Sequence, residues 1–344
     1  MELKSELKRD KLQEIKEQHP QYSPKECLTL EGYPVIEGYD FEKKFDFNEF
    51  LESFAKTGFQ ATHLAQGIEI IKAMRREKAT IFLTYTSNMV SSGIREVIKY
   101  LVKHKKVDVL VTAAGGIEED IIKSLKPFVL GQFETPGRML FEHGINRTGN
   151  IFVPNDRFAY FDIFLQKFYE KIYKIQKETG KVFCPHEFTR ELGLEINDKN
   201  SILYWAAKND IPVFCPGIID GSIGDLMFFF KQSHPDFLMD VSKEMRDIVQ
   251  FALNSEKTGG IILGAGISKH FALNANIFKE GFDFMVYVNT AQEFDGSDSG
   301  ARVDEAVTWG KVKPNAPNVK IYCDATIAFP LLVAGSFTQE EKEN

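Results

Sequence analysis

Seven short apolar runs, rich in β-branched and aromatic residues, constrain the fold of this chain more than any other feature. They lie at 79–85 (ATIFLTY), 107–113 (VDVLVTA), 150–154 (NIFVP), 212–215 (PVFC), 259–264 (GGIILG), 282–288 (FDFMVYV) and 319–323 (VKIYC). Runs without polar alternation are expected of parallel strands buried on both faces. Between them lie amphipathic helical stretches such as 92–103, where Ile94, Val97, Ile98, Leu101 and Val102 share one face. Strand, helix, strand repeated in this way predicts an α/β fold: a Rossmann-like, doubly wound, mainly parallel sheet with helices on both faces. No internal repeat or long linker interrupts it. The division expected is therefore an N-terminal arm, 1–28, and one catalytic domain, 29–344. Leu3, Leu7, Leu12 and Ile15 make the arm a marginal amphipathic helix, stopped by Pro20.

In such a sheet ligands bind beyond the carboxyl ends of the strands. The segments that follow the runs are small, polar or acidic: 86–88 (TSN), 113–120 (AAGGIEED), 216–225 (PGIIDGSIGD), 264–270 (GAGISKH), 289–298 (NTAQEFDGSD) and 324–326 (DAT). A Walker loop is absent, which removes the main support for nucleoside triphosphate hydrolysis. Gly264-Ala265-Gly266 begins a dinucleotide fingerprint, but its third glycine would fall on Lys269. With 86–92 and 113–116 it makes three small-residue loops leading into helices, where backbone N–H groups suit a pyrophosphate.

The 42 basic and 49 acidic residues leave a formal charge of −7, unlike a surface built to neutralise phosphates, so no nucleic-acid partner is expected. Four scattered cysteines, Cys27, Cys184, Cys215 and Cys323, form no CxxC pair and no evident cluster with histidine, so no disulfide framework or metal site is expected. The charged first residues lack a signal-peptide centre, and no run approaches the ~18 apolar residues of a membrane span. An intracellular, cytoplasmic protein with no membrane association is expected.

The densest stretch, 289–311, holds Glu293, Asp295, Asp298, Asp304 and Glu305, then Trp309 and Lys311. An acidic solvated loop is one reading. A second is a Mg²⁺ site at 295–299 (DGSDS), with hard oxygens at alternate positions. A third is a pocket for an aliphatic polyamine, with carboxylates for the ammonium groups and an indole face for a cation–π contact. In that pocket a lysine would repel a cationic ligand, so Lys311 is better suited as a buried amine nucleophile. His270, just after a glycine turn, is the candidate general base. The other histidines and Trp205 are read as surface or packing residues, Trp205 in the core.

Taken together, 86–96 (TSNMVSSGIRE), 115–120 (GGIEED), 219–225 (IDGSIGD), 289–302 (NTAQEFDGSDSGAR) and 305–311 (EAVTWGK) resemble the deoxyhypusine synthase family, collinearly from about residue 30 to Phe337. The resemblance implies NAD-dependent transfer of the aminobutyl group of spermidine to one lysine of the translation initiation factor 5A precursor. The path it implies runs through an imine on Lys311 and releases 1,3-diaminopropane. It implies NAD contacts from Ser87, Asn88, Met89, Val90, Ser91, Ala113, Ala114, Gly115, Glu119, Asp220, Thr290, Ala291, Asp324 and Ala325. It implies a spermidine pocket of Glu118, Glu119, Asp225, Ala265, His270, Gly296, Ser297, Asp298, Glu305, Trp309 and Lys311. Ala113 and Ala265 stand where relatives often carry threonine and glycine. The family further implies a homotetramer with sites at subunit interfaces and an N-terminal helix that can cover a partner's site. Homospermidine synthase and a non-catalytic activating paralogue are the alternatives.

Overall fold

The computed structural model describes Gln18 and residues 30–338. The chain divides into two compact units, Met1–Glu37 and Gly38–Asn344. Apart from Gln18, the arm at 1–28 lies outside the described residues, and so does its reading as a docking helix. The described end of the first unit is a turn closed by a hydrogen bond from Tyr33 N to Leu30 O (3.2 Å).

The second unit runs α1 (Phe47–Thr57), α2 (Phe59–Arg76), β1 (Thr80–Tyr85), α3 (Asn88–Ser91), α4 (Ile94–Lys103), β2 (Val109–Thr112), α5 (Ala114–Leu125) and β3 (Val129–Leu130). It continues with α6 (Gly137–Glu142), β4 (Ile145–Thr148), β5 (Ile151–Pro154), α7 (Asp156–Thr179), α8 (Pro185–Ile196), α9 (Ile202–Asn209) and β6 (Val213–Phe214). The last third holds α10 (Ser222–Ser233), α11 (Val241–Leu253), β7 (Thr258–Leu263), α12 (Ile267–Ile277), β8 (Phe284–Asn289), α13 (Val303–Thr308), β9 (Asn318–Tyr322) and α14 (Ala325–Ser336).

Six of the seven apolar runs form one all-parallel sheet in the order β6-β2-β1-β7-β8-β9. Counted within this sheet, that is the 3-2-1-4-5-6 order of dinucleotide-binding folds, with its switch point between β1 and β7. The period of two sends Ile81, Leu83, Tyr85, Ile261, Leu263, Val286 and Val288 to one face, against α2, α5 and α14. Phe82, Val109, Val111, Ile262, Met285 and Tyr287 go to the other, against α11, α12 and α13. Both faces are covered, which explains why the runs show no alternation.

The run at 150–154 departs from the expectation. Its strand, β5, pairs antiparallel with β3 and β4 in a separate three-stranded sheet. Thr148 pairs with Ile151, so Gly149 and Asn150 are a two-residue loop, and Gly149 has φ +59°. A two-residue loop can join only antiparallel strands, because a parallel return needs a crossover of a dozen residues or more. Trp205 also differs from the core assignment. It is partly buried, donates from Nε1 to Lys199 O (2.9 Å) and lies beneath the Lys103 ammonium.

Asp120 ties three of these helices together. Fully buried on α5, it accepts hydrogen bonds from Arg95 Nε of α4 (2.7 Å), from Ser201 Oγ (2.6 Å) and from the first amides of α9, Ile202 N (3.1 Å) and Leu203 N (3.0 Å). One carboxylate thus pairs a buried guanidinium and caps a helix start. Asp120→Ala leaves buried Arg95 with only the exposed Glu96 carboxylate at 3.9 Å and should cost ~3–5 kcal/mol in chemical denaturation; a loss under ~1 kcal/mol would match an exposed ion pair instead.

Candidate active site

All six loops at the carboxyl edge of the sheet carry residues named from sequence. Within the described residues they gather into two groups, joined at the sheet edge by a hydrogen bond from Thr86 N to Leu263 O (3.3 Å).

The first group surrounds the ends of β1 and β2. The turn after β1 leads into the short helix α3, where Met89, Val90 and Ser91 are buried, and Thr86 Oγ1 donates to Asn88 Oδ1. Ser87 meets the start of α5 closely: a Cβ added to Gly115 would lie 2.6 Å from Ser87 Cβ. Glycine is therefore required at 115 for the two loops to touch. Ala113, the N-cap of α5, offers no side-chain cap, and no acid lies in the first turn beyond it.

Ser91 Oγ donates to Glu119 Oε2. Burial raises the Glu119 carboxyl to about 7; the Ser91 bond opposes the rise and neighbouring Glu118 adds to it. Glu118, more deeply buried than the half-buried Glu119, accepts from Ile223 N (3.1 Å) at the start of α10; burial again pushes its carboxyl upward, and Asp225 and Asp220 contribute. Asp220 and Asp225 are themselves exposed.

The second group surrounds the ends of β7 and β8. Gly264 (φ +80°) and Gly266 (φ +73°) turn the chain into α12, with Ala265 buried between them. Lys311 Nζ lies 3.3 Å from His270 Nε2 and 5.7 Å from the centre of the Trp309 ring. The burial expected of Lys311 falls instead on Lys269: Lys311 is half-buried, whereas Lys269 is 1% exposed. Lys269 lines a small pocket with Tyr287, Asp298, Glu305, Trp309 and Lys311. Its ammonium donates to Asp298 O, sits 3.7 Å from Asp298 Oδ2 and lies 4.7 Å from the Tyr287 ring centre. Burial lowers its pKa while Asp298 and Glu305 resist. Asp298 Oδ2 and Tyr287 Oη are buried without a hydrogen-bond partner, so the pocket has acceptor capacity for an incoming cation.

Gly296, Ser297, Glu305, Trp309, Thr290 and Asp324 are exposed, and Ala291 is half-buried. Asp324 caps α14 by accepting from Thr326 N (2.7 Å), and Ala325 is buried behind it. In 295–299 the Asp295 carboxylate accepts from Ser297 N (2.8 Å), an Asx turn within the loop. Among the described residues, the group of His, Cys, Asp and Glu side chains close enough to hold a metal ion lies elsewhere, at Cys184, His186 and Asp247.

Three lysines position these loops, a role the sequence did not assign to them. Lys320 of β9 is buried and donates to Ala291 O (3.0 Å) and Gly300 O, holding both ends of the acidic loop. Lys123 of α5 donates to Val90 O (2.9 Å), Ser91 O (3.2 Å) and Ser92 O (2.9 Å), closing the turn after β1. Lys269 is the third. A single lysine inside an apolar run, as in VKIYC, is the signal that marks Lys320.

Glu119 yields a pH test. Its folded pKa of about 7 exceeds the ordinary 4.5, so the folded state holds the extra proton between those values. That contribution to stability is present at the low end and is lost as pH rises towards 7. Glu119→Gln, neutral throughout, should therefore gain thermal stability relative to the unsubstituted protein as pH increases over this window; parallel melting curves would contradict the assignment.

The family model described as deoxyhypusine synthase matches residues 49–336. A deoxyhypusine synthase of Nicotiana tabacum is 47% identical, covering 93% of this chain and 94% of its own. A probable deoxyhypusine synthase of Methanocaldococcus jannaschii is 49% identical over 90% of this chain and 98% of its own. A crystal structure of an Entamoeba histolytica protein provisionally identified as a deoxyhypusine synthase superposes with TM-score 0.63 at 30% identity, covering 88% and 96% of the two chains. With its fold, its loops and these relatives in agreement, this chain belongs to the deoxyhypusine synthase family of transferases.

Proposed function

We propose that the protein transfers the aminobutyl group of spermidine to a lysine of the translation initiation factor 5A precursor with NAD as cofactor, and that Lys311 carries the group. The observation that carries this reading is the contact of Lys311 Nζ with His270 Nε2 at 3.3 Å, beside a pocket whose Asp298 Oδ2 is buried, accepts no hydrogen bond and faces Lys269 at 3.7 Å.

The cofactor residues named from the resemblance fit a dinucleotide. The switch point between β1 and β7, the close approach of Gly115 to Ser87 and the uncapped first turn of α5 offer backbone amides to a pyrophosphate. When bound, NAD supplies reversible hydride acceptance at the carbon beside the secondary amine of spermidine. The chain's own groups do the rest. Asp298 and Glu305 bind ammonium groups, and the exposed Trp309 indole covers the alkyl chain. His270 accepts the proton that Lys311 must lose to become a nucleophile. Lys311 then forms a C=N bond to the butyl fragment as the C–N bond to 1,3-diaminopropane breaks. Attack by the acceptor lysine releases Lys311 and leaves the fragment on the protein substrate as a C=N bond, whose reduction to the amine would use the hydride taken up at the outset.

The two groups of residues complete each other across a subunit boundary in a homotetramer. Supporting this reading, Asp225, Glu305 and Trp309 are exposed in the single chain, each beside an acid or amine of its own group. No helix among the described residues is long and apolar enough to cross a membrane, which fits a cytoplasmic location.

Incubation with NAD, labelled spermidine and the factor 5A precursor should place label on the precursor; diaminopropane release without such label would indicate another acceptor. Lys311→Ala should abolish the borohydride-trapped enzyme adduct, and an adduct that persists would move the nucleophile to Lys269. Hybrid oligomers co-expressed from Asp225→Asn and Lys311→Ala chains should regain activity that neither variant has alone; hybrids as inactive as their parents would confine the site to one chain.

A further inference from the structure

Helix α10 carries more apolar surface than its own chain covers. Ile223, Met227 and Phe230, spaced at i, i+4 and i+7, are buried in the core. The aromatic run continues onto the opposite side, where Phe228 is 61% exposed and Phe229 60%. Their rings meet edge to face, with centroids 5.3 Å apart. A helix that is apolar on both sides is expected of an element covered on both sides. Contiguous apolar surface left in water marks a contact.

Asp225 shares that outer face. At the helical period, positions 225, 228, 229 and 232 fall within roughly 100° of the circumference, and all four residues are exposed. The start of the helix is fixed to its neighbours. Ile223 N donates to Glu118 Oε2 of α5 (3.1 Å), and Ile223 O accepts from Tyr169 Oη of α7 (2.6 Å). A Cβ on Gly224 would lie 1.9 Å from Ile219 O, so the preceding loop lies directly on the first turn. Asp225 and the two phenyl rings are thus presented together on one anchored surface.

The chemistry of that surface selects what covers it. Asp225 belongs to the first group of site residues, and the amine it would serve, Lys311, belongs to the second. The loops of the second group also expose rings, those of Phe294 and Trp309. An acid with two phenyl rings on one side therefore faces an amine with a phenyl and an indole on the other. Every copy of the chain carries both halves. Two copies related by a two-fold axis make the contact twice, and the assembly closes.

We propose that Phe228 and Phe229 anchor a second copy of this chain, packing on the Phe294 and Trp309 side of its second group, and that this contact brings Asp225 to the Lys311 of that copy. The proposal rests on the reading of a site shared across a subunit boundary and adds the surface that makes the contact. It couples association to activity, because the rings that seat the second copy and the acid that serves its site lie on one helix face.

The double variant Phe228→Glu/Phe229→Glu places two carboxylates in the contact and leaves the buried side of α10 unchanged. Sedimentation at micromolar concentration should show a smaller assembly than the unsubstituted protein forms, and the borohydride-trapped adduct should be lost. Benzoylphenylalanine in place of Phe228 keeps an aromatic ring there, so it tests the same contact without reliance on the charged variant. Irradiation should join two chains, with the second peptide drawn from 289–311. An assembly of unchanged size in the double variant, or irradiation that joins position 228 only to the factor 5A precursor, would overturn the proposal; the second result would assign the face to the acceptor. Absence of diaminopropane release from the unsubstituted protein would instead remove the aminobutyl-transfer reading, and sedimentation and cross-linking would still decide the contact.

Discussion

Irregular backbone packed against a sheet edge must find donors for its carbonyl groups, and in this protein buried ammonium groups supply them. Lys123 closes the turn after β1, Lys269 holds the carbonyl of Asp298, and Lys320 joins the two ends of the loop from Ala291 to Gly300. Each lysine springs from a regular element and reaches into a loop. Water could not satisfy these carbonyls as rigidly, and an unpaired buried carbonyl would be costly. The loops that carry the proposed chemistry are therefore anchored by cations as well as by the hydrophobic contact of residues such as Met89 and Val90.

The same arrangement shapes the electrostatics. Positive charge is buried beneath the loops, while acids such as Asp225, Glu305 and Asp324 stand at their surface. The buried cations hold the backbone, and the exposed carboxylates remain available to ligands. A net charge of −7 conceals this layering, because the two signs are separated by depth rather than by position along the chain. Glu118, Glu119 and the fully buried Asp120 depart from this layering: acids pulled inside, the first two with carboxyls that burial pushes upward.

Most of the fold was legible because a doubly covered parallel sheet leaves a strong signal in hydrophobic runs. The strand at Ile151–Pro154 escaped that logic. Its composition resembles a buried strand, and only the two-residue Gly149-Asn150 loop betrays an antiparallel hairpin. The site was legible as a set of loops and motifs, since strand ends locate ligands whatever their chemistry. What the sequence did not disclose was depth. Burial of Lys269 rather than Lys311 depends on how α12 packs over β8, and no local pattern encodes it. Nor did scattered cysteines disclose Cys184 beside Asp247, because α8 and α11 are brought together only by the completed fold.

The strand order has a consequence in time. The crevice at the centre of the sheet lies between β1, residues 80–85, and β7, residues 258–263, which pair although about half of the chain lies between them. During synthesis β1 and β2 emerge early and can pair, yet the other edge of β1 stays open until β7 leaves the ribosome. That edge is apolar on both faces, and unpaired edges of this kind invite association with other chains. Such a topology, dominated by a distant pairing, folds late and slowly compared with local structure. Nascent chains that stop short of β7 are left with an adhesive edge and no crevice.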